Sequence, residues 1–266
     1  RLQTDSMIIS SFINVTVNGF VDNYNMIMNS AANVVNIVFN SVLSSFGNLI
    51  ATESKDRQYE LFKVYRFAAS WIYGFAAVGF AILLTPFITL WVGAERTLAF
   101  SVIGCILIDF YFKGERIVLS NFKTAAGVFE QDKYLALIQG VVNLVISIVL
   151  VVRIGLVGVY IGTIVSGLIA NVTKPIIIYH VILDRKAGEY FRDSMKYCLL
   201  LVIQYGIFYG ISGIIMKEIT ILTFLVMFVI ICVVFNGIFL MVFRKAGEFQ
   251  YLVTIVRRKI DERKVR

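Results

Sequence analysis

The chain has 266 residues, 59% of them hydrophobic and 16% charged, with a mean hydropathy of +0.82, against roughly 45 to 50% apolar residues in soluble domains. A water-soluble fold of this size cannot cover so much apolar surface, so its solvent is a bilayer. The net charge of +8 does not point to a nucleic-acid partner, because the cations gather just outside the apolar runs, as they do in membrane proteins.

The chain opens on RLQTDSMIISSFI, residues 1–13, which reads as the last turns of a longer helix. It lacks an initiator Met and the charged, apolar and small-residue pattern of a signal peptide, so the expectation is a piece of a larger protein. Spanning a hydrocarbon core takes about 20 apolar residues as a helix. Candidate spans follow near 16–50, 67–91, 98–122, 134–152, 157–182, 196–216 and 219–243. The first is too long for one perpendicular crossing and must tilt or continue beyond the membrane. Pro86 lies near the end of its span and Pro175 within one, where it is expected to kink the helix.

Within 16–50, Asn18, Asp22, Asn25, Asn29, Asn33, Asn36, Asn40 and Ser44 fall on roughly a third of the helix circumference at about 100° per residue. Such a stripe either makes hydrogen bonds to neighbouring helices or lines a wet cavity. Amides donate and accept, which suits sugar hydroxyls.

In 98–122, Asp109, Lys113, Arg116, Ser120 and Lys123 share one face. Charges inside a span are costly and point to function by default; the alternative is snorkelling toward headgroups, expected of Lys123. Turned inward, Arg116 would grip phosphate oxygens as a fork and Lys113 would act as a point charge, with Asp109 orienting them. Lys174, beside Pro175, is a third intramembrane cation; it either faces the cavity or pairs with a carbonyl freed by the proline. His180 stands alone near a helix end as a surface residue, and no metal site is expected.

GLVGVYIGT, residues 155–163, lacks the strand and lysine of a nucleotide loop. Gly155 is expected to make a tight turn, with Gly158 and Gly162 forming a small-residue packing face. Cys105, Cys198 and Cys232 sit singly in apolar runs as small apolar filler. With no nucleophile elbow and no paired acids on an exposed loop, the chain is not expected to be an enzyme or to need a cofactor.

The connections alternate in charge. One side carries Lys55, Arg57, Lys63 and Arg66, then Lys133, then Arg185, Lys186, Arg192 and Lys196, and finally the tail 244–266; the other has Arg96, Arg153 and Lys217. Short basic loops stay in the cytoplasm, which places the C-terminus there. In the tail, Phe249, Leu252, Val253, Val256 and Ile260 recur at helical spacing beside a basic face. It reads as an amphipathic helix on anionic inner-leaflet lipid or as one docked on the body of the bundle.

TDSMIIS, the VNGFVDNYNMIM run, GNLIATES and, most specifically, the NLVISIVL, RIG, GVYIGT series resemble the C-terminal half of bacterial polysaccharide transporters. These are the Wzx-type oligosaccharide repeat-unit flippases of the multidrug, oligosaccharidyl-lipid and polysaccharide exporter superfamily. The resemblance implies an all-α polytopic bundle: the second lobe of a two-lobe alternating-access flippase plus two extra C-terminal helices. Residues 1–13 would end a truncated helix, 14–183 would complete the six-helix lobe, 184–243 would be the extra pair and 244–266 the cytoplasmic tail. It implies transport of undecaprenyl-pyrophosphate-linked oligosaccharide across the bacterial cytoplasmic membrane, with Lys113, Arg116 and Lys174 at the pyrophosphate and Asn25, Asn29, Asn33 and Asn36 facing the sugars. Asp5, Asp22 and Asp109 become candidate cavity or ion-coupling residues, for sodium or protons. A polysaccharide polymerase or other assembly protein is a candidate partner.

The rivals are a cation-coupled multidrug antiporter of the same superfamily, which would want more buried carboxylates, and a lipid II flippase, which carries the same pyrophosphate. A membrane glycosyltransferase or polymerase would want a sizeable external loop. A seven-helix receptor would want an external ligand domain or pocket, and the external connections offer room for none.

Overall fold

In lipid every backbone N–H and C=O must be satisfied within the protein, which leaves helices or closed barrels. The computed structural model describes residues 2–264, with side chains from Thr4 to Ile255 and at Arg257, and holds no strand among them. The helices are α1 (Leu2–Phe12), α2 (Val15–Asn40), α3 (Leu43–Thr52), α4 (Lys55–Val92), α5 (Phe100–Ala125), α6 (Leu135–Ile154), α7 (Leu156–Ile177), α8 (Gly188–Ile215), α9 (Ile221–Phe243) and α10 (Gly247–Lys264).

Six helical stretches among the described residues are long and apolar enough to cross a membrane: Val15–Thr52, Lys55–Val92, Glu130–Ile154, Leu156–Ile182, Gly188–Ile215 and Ile221–Phe243. The protein is an all-α, multi-pass transmembrane bundle. The predicted span 98–122 is the 26-residue α5. Asp109, Lys113, Glu115, Arg116 and Lys123 set it apart from those six, and α3, α4 and α7 enclose it. Lipid meets other surfaces, such as Leu137, Val141, Val145 and Val152 on α6 and Val229 and Val233 on α9, all exposed.

Several boundaries differ from the sequence expectation for physical reasons. The single span 16–50 is broken at Ser41 and Val42, and Asn121 of α5 donates to Phe39 O and Asn40 Oδ1, both at 3.1 Å, at the end of α2. α4 starts well before residue 67. Ser54 caps it, and its first turns are good helix formers braced by an Arg57–Glu60 pair. Its 38 residues extend about 57 Å, well beyond a hydrocarbon core of roughly 30 Å. Arg66, read as a loop cation, is therefore a helical residue only 3% exposed. α8 likewise begins at Gly188 rather than near 196. Around Pro175, which removes one backbone donor, α7 continues into a π-helical turn at Ile178–Ile182.

α6 and α7 run against one another across the turn at Gly155, whose φ of +63° favours glycine. A methyl added at Gly158 would overlap the Leu150 backbone, and one at Gly162 would overlap Ser147, so the small-residue face is the contact. α4 is shared by two apolar clusters. One packs it against α2, α3, α5 and α7; the other sets Phe67, Val78, Ile82 and Leu83 against Phe208 of α8 and Met227, Ile231, Phe235 and Phe239 of α9.

Three basic connections meet at one end of the bundle. Lys55 Nζ donates to Ile182 O at 2.6 Å, Arg185 pairs with Asp56 at 2.6 Å and Arg57 reaches Tyr251 Oη at 3.2 Å. The start of α10 is docked on the body there, with Phe249 and Leu252 packed against the second cluster and Lys63 3.6 Å from Glu248. The side chains of Val256 and Ile260, which complete the expected amphipathic face, lie outside the described residues.

Candidate functional site

Polar side chains on a membrane helix are spared the cost of lipid only by partners or by water. α2 uses both. Asn25, Asn29, Asn33 and Asn36, the middle of the stripe, line one cavity of about 370 Å³ together with Asp5, Asp109, Lys113 and Arg116. Tyr73 Oη donates to Asn36 Oδ1 on the cavity wall. The ends of the stripe do other work: Asp22 is exposed and does not line this cavity, and Asn40 accepts from Asn121.

α5 supplies the charged wall. Its close approach to α4 rests on Gly114, where a methyl would overlap the Tyr73 ring. Asp109 and Lys113, one turn apart, form a 2.5 Å ion pair. The carboxylate side chain is 8% exposed and the lysine 43%, so the ammonium stands in the open part of the site. Arg116 is buried and crosses to α7, donating from Nη1 to Gly167 O at 3.0 Å and to Asn171 Oδ1 at 2.7 Å. Neither Lys113 nor Arg116 snorkels away from the cavity. Lys123 does not snorkel either: 12% exposed, it is held by both oxygens of Asp132 at 2.6 and 2.7 Å.

Lys174 is not in the cavity wall. Its Nζ donates to Ser120 Oγ at 2.9 Å, and Ser120 is a lining residue, so Lys174 stands just behind the site. His180 is exposed, as expected of a surface residue.

On the far wall, α1, α6 and α7 build a buried polar chain. Asn143 Nδ2 donates to Thr163 Oγ1 at 3.0 Å, and Thr163 Oγ1 donates to Asp5 Oδ2 at 3.0 Å. Asp5 is 4% exposed, and its Oδ1 has no hydrogen-bond partner among the described residues. A buried carboxylate oxygen in that state calls for a partner that the described residues do not supply: a water, a proton or an ion. Sequence reading missed Tyr73, Tyr160 and Thr163 as lining residues. Only Thr163, a polar residue in an apolar span one turn after Tyr160, gave a signal.

The cavity can hydrogen-bond hydroxyls along the asparagine wall and attract an anion at Lys113 and Arg116. It is formally balanced, with Asp5 and Asp109 against the two cations. Neither a family model, a curated protein nor a solved structure matches the chain.

Proposed function

We propose that the chain is the cavity-bearing half of a flippase that moves a polyprenyl-pyrophosphate-linked oligosaccharide across a bacterial cytoplasmic membrane for surface polysaccharide assembly. The observation that carries this is a single cavity in which an amide wall from α2 faces a cationic wall from α5. Amides suit the hydroxyls of a sugar chain. A guanidinium and an ammonium suit a pyrophosphate. A second lobe, facing the open side where Asn29 and Asn33 are exposed, completes the path by alternating access.

The formal balance of the cavity gives coupling a place. Charge neutralisation at Asp5 by sodium or a proton leaves the cationic wall in excess, which favours the anionic headgroup; release of the ion reverses this. Lys113 then exchanges Asp109 for a phosphate oxygen, while Arg116 keeps its α7 contacts and adds its positive charge beside it. A drug antiporter taking a cationic substrate is the weaker reading, because Lys113 already occupies Asp109. A lipid II flippase shares the headgroup and is separated by its glycan. The tail's partner is anionic lipid on the side where the basic connections meet, which this reading makes the cytoplasm.

The test is surface polysaccharide in a bacterium lacking its own repeat-unit flippase but making the matching glycan. The protein as its own gene encodes it should restore export, and Lys113→Ala with Arg116→Ala should abolish it at equal membrane abundance. Restoration by both would refute the headgroup site; restoration by neither, with a matched glycan, would refute the flippase reading.

A further inference from the structure

α5 has a second polar face that the cavity does not use. Glu115 is one residue before Arg116, which turns it about 100° around the helix, and it does not line the cavity. It is 2% exposed. Its Oε1 accepts from Ser70 Oγ of α4 at 2.5 Å and from Tyr111 Oη at 3.1 Å, and its Oε2 accepts from Ser194 Oγ of α8 at 3.0 Å.

Arg66 of α4, the buried cation that sequence reading placed in a loop, approaches the same serine. Its Nη2 donates to Ser194 Oγ and to Tyr190 O, both at 2.6 Å. Its guanidinium carbon lies 3.8 Å from the centre of the Tyr190 ring. A hydroxyl accepts and donates at once, so Ser194 relays the attraction between guanidinium and carboxylate. In a low-dielectric interior each of these charges is costly alone and tolerable together.

We infer that Arg66, Ser194 and Glu115 form one serine-bridged charge pair that locks α8 to the back of α5 and fixes the rotation of α5 about its own axis. Glu115 is thus a positioning residue: because α4 and α8 hold its carboxylate, Lys113 and Arg116 are aimed into the cavity. α8, one of the two helices expected to be extra, is a structural member of the cavity-bearing unit. The positioning part rests on the headgroup role proposed for those two cations; the charge pair does not.

The experiment is a double-mutant cycle in the protein as its gene encodes it, purified in detergent, with the melting midpoint and the affinity for a sugar-free polyprenyl pyrophosphate as readouts. Glu115→Gln and Arg66→Met should each lower the midpoint by about 6 °C or more, since each strands a buried charge, and the double variant should recover at least half of the loss. The recovered double variant should still bind the pyrophosphate about tenfold more weakly, because one charge-assisted contact is misaimed. Ser194→Ala should lower the midpoint and Ser194→Thr restore it, which decides the bridge even where the charge variants do not accumulate.

Losses that simply add in the double variant, or an unchanged midpoint in Ser194→Ala, would overturn the charge pair. A stable double variant with unchanged affinity would overturn the positioning role. Failure of the unaltered protein to bind any polyprenyl pyrophosphate would instead strike the proposed function, leaving the stability cycle to judge the pair by itself.

Discussion

The front and back of α5 place charges of the same kinds in opposite circumstances. In front, Asp109 holds Lys113 in a direct pair whose lysine is 43% exposed; behind, Glu115 and Arg66 are 2% and 3% exposed and are bridged by Ser194. A pair whose cation stands in the open part of a cavity contributes less to stability, and its lysine can pass to another partner. A buried pair cannot be opened without a large penalty. A site that must bind and release belongs to the first kind, and an anchor belongs to the second.

The sharpest way to break this contrast is to remove the same chemistry from each side. Glu115→Leu should cost about 3 to 5 kcal/mol by stranding Arg66, read as loss of folded protein in the membrane. Asp109→Leu should leave abundance nearly unchanged, because Lys113 can turn to water in the cavity. Equal losses from the two would mean that both faces are structural.

A second comparison lies across the cavity, between Lys113 and Asp5. Lys113→Gln should lower export about tenfold or more by removing one charge-assisted contact to the headgroup, with membrane abundance retained. Asp5→Asn should do something different in kind. It keeps the side chain's volume and an acceptor for Thr163 but removes the charge that a coupling ion would neutralise. Export should then lose its dependence on the sodium or proton gradient. Export that still tracks either gradient in that variant would remove Asp5 from coupling.

These contrasts also show what sequence could and could not reveal. The spans were legible because lipid forces about 20 apolar residues into each helix, and the middle of the asparagine stripe was legible because its period matches the helix. The boundaries of α4 and α8 were not, since good helix formers carry both helices past the apolar run. The break after Asn40 is also invisible to periodicity; the donor at the end of α2 is Asn121, distant in sequence. Glu115 was hidden by grouping charges on one face: it stands about 100° from Arg116, and only the folded bundle shows that Ser70 and Ser194 converge on it. The offset of Lys174 behind Ser120 was equally beyond spacing rules, because it depends on how α7 lies against α5.

The smallest effects should come from the amide wall, where the two halves of the stripe can be set against each other. Asn29 and Asn33 line the cavity and are exposed, so they contribute through single neutral hydrogen bonds, each worth about 1 kcal/mol, or roughly fivefold in affinity. Asn40, in contrast, receives the Asn121 amide at the end of α2. Asn29→Ala with Asn33→Ala should therefore weaken binding of the glycan-bearing lipid while leaving the sugar-free pyrophosphate unaffected, at unchanged stability. Asn40→Ala should lower the melting midpoint slightly and leave both ligands alike. If the cavity pair instead weakens both ligands equally, the amides face the headgroup and the sugars lie elsewhere. The two ligands differ only in the glycan, so their ratio isolates what the asparagine wall contributes.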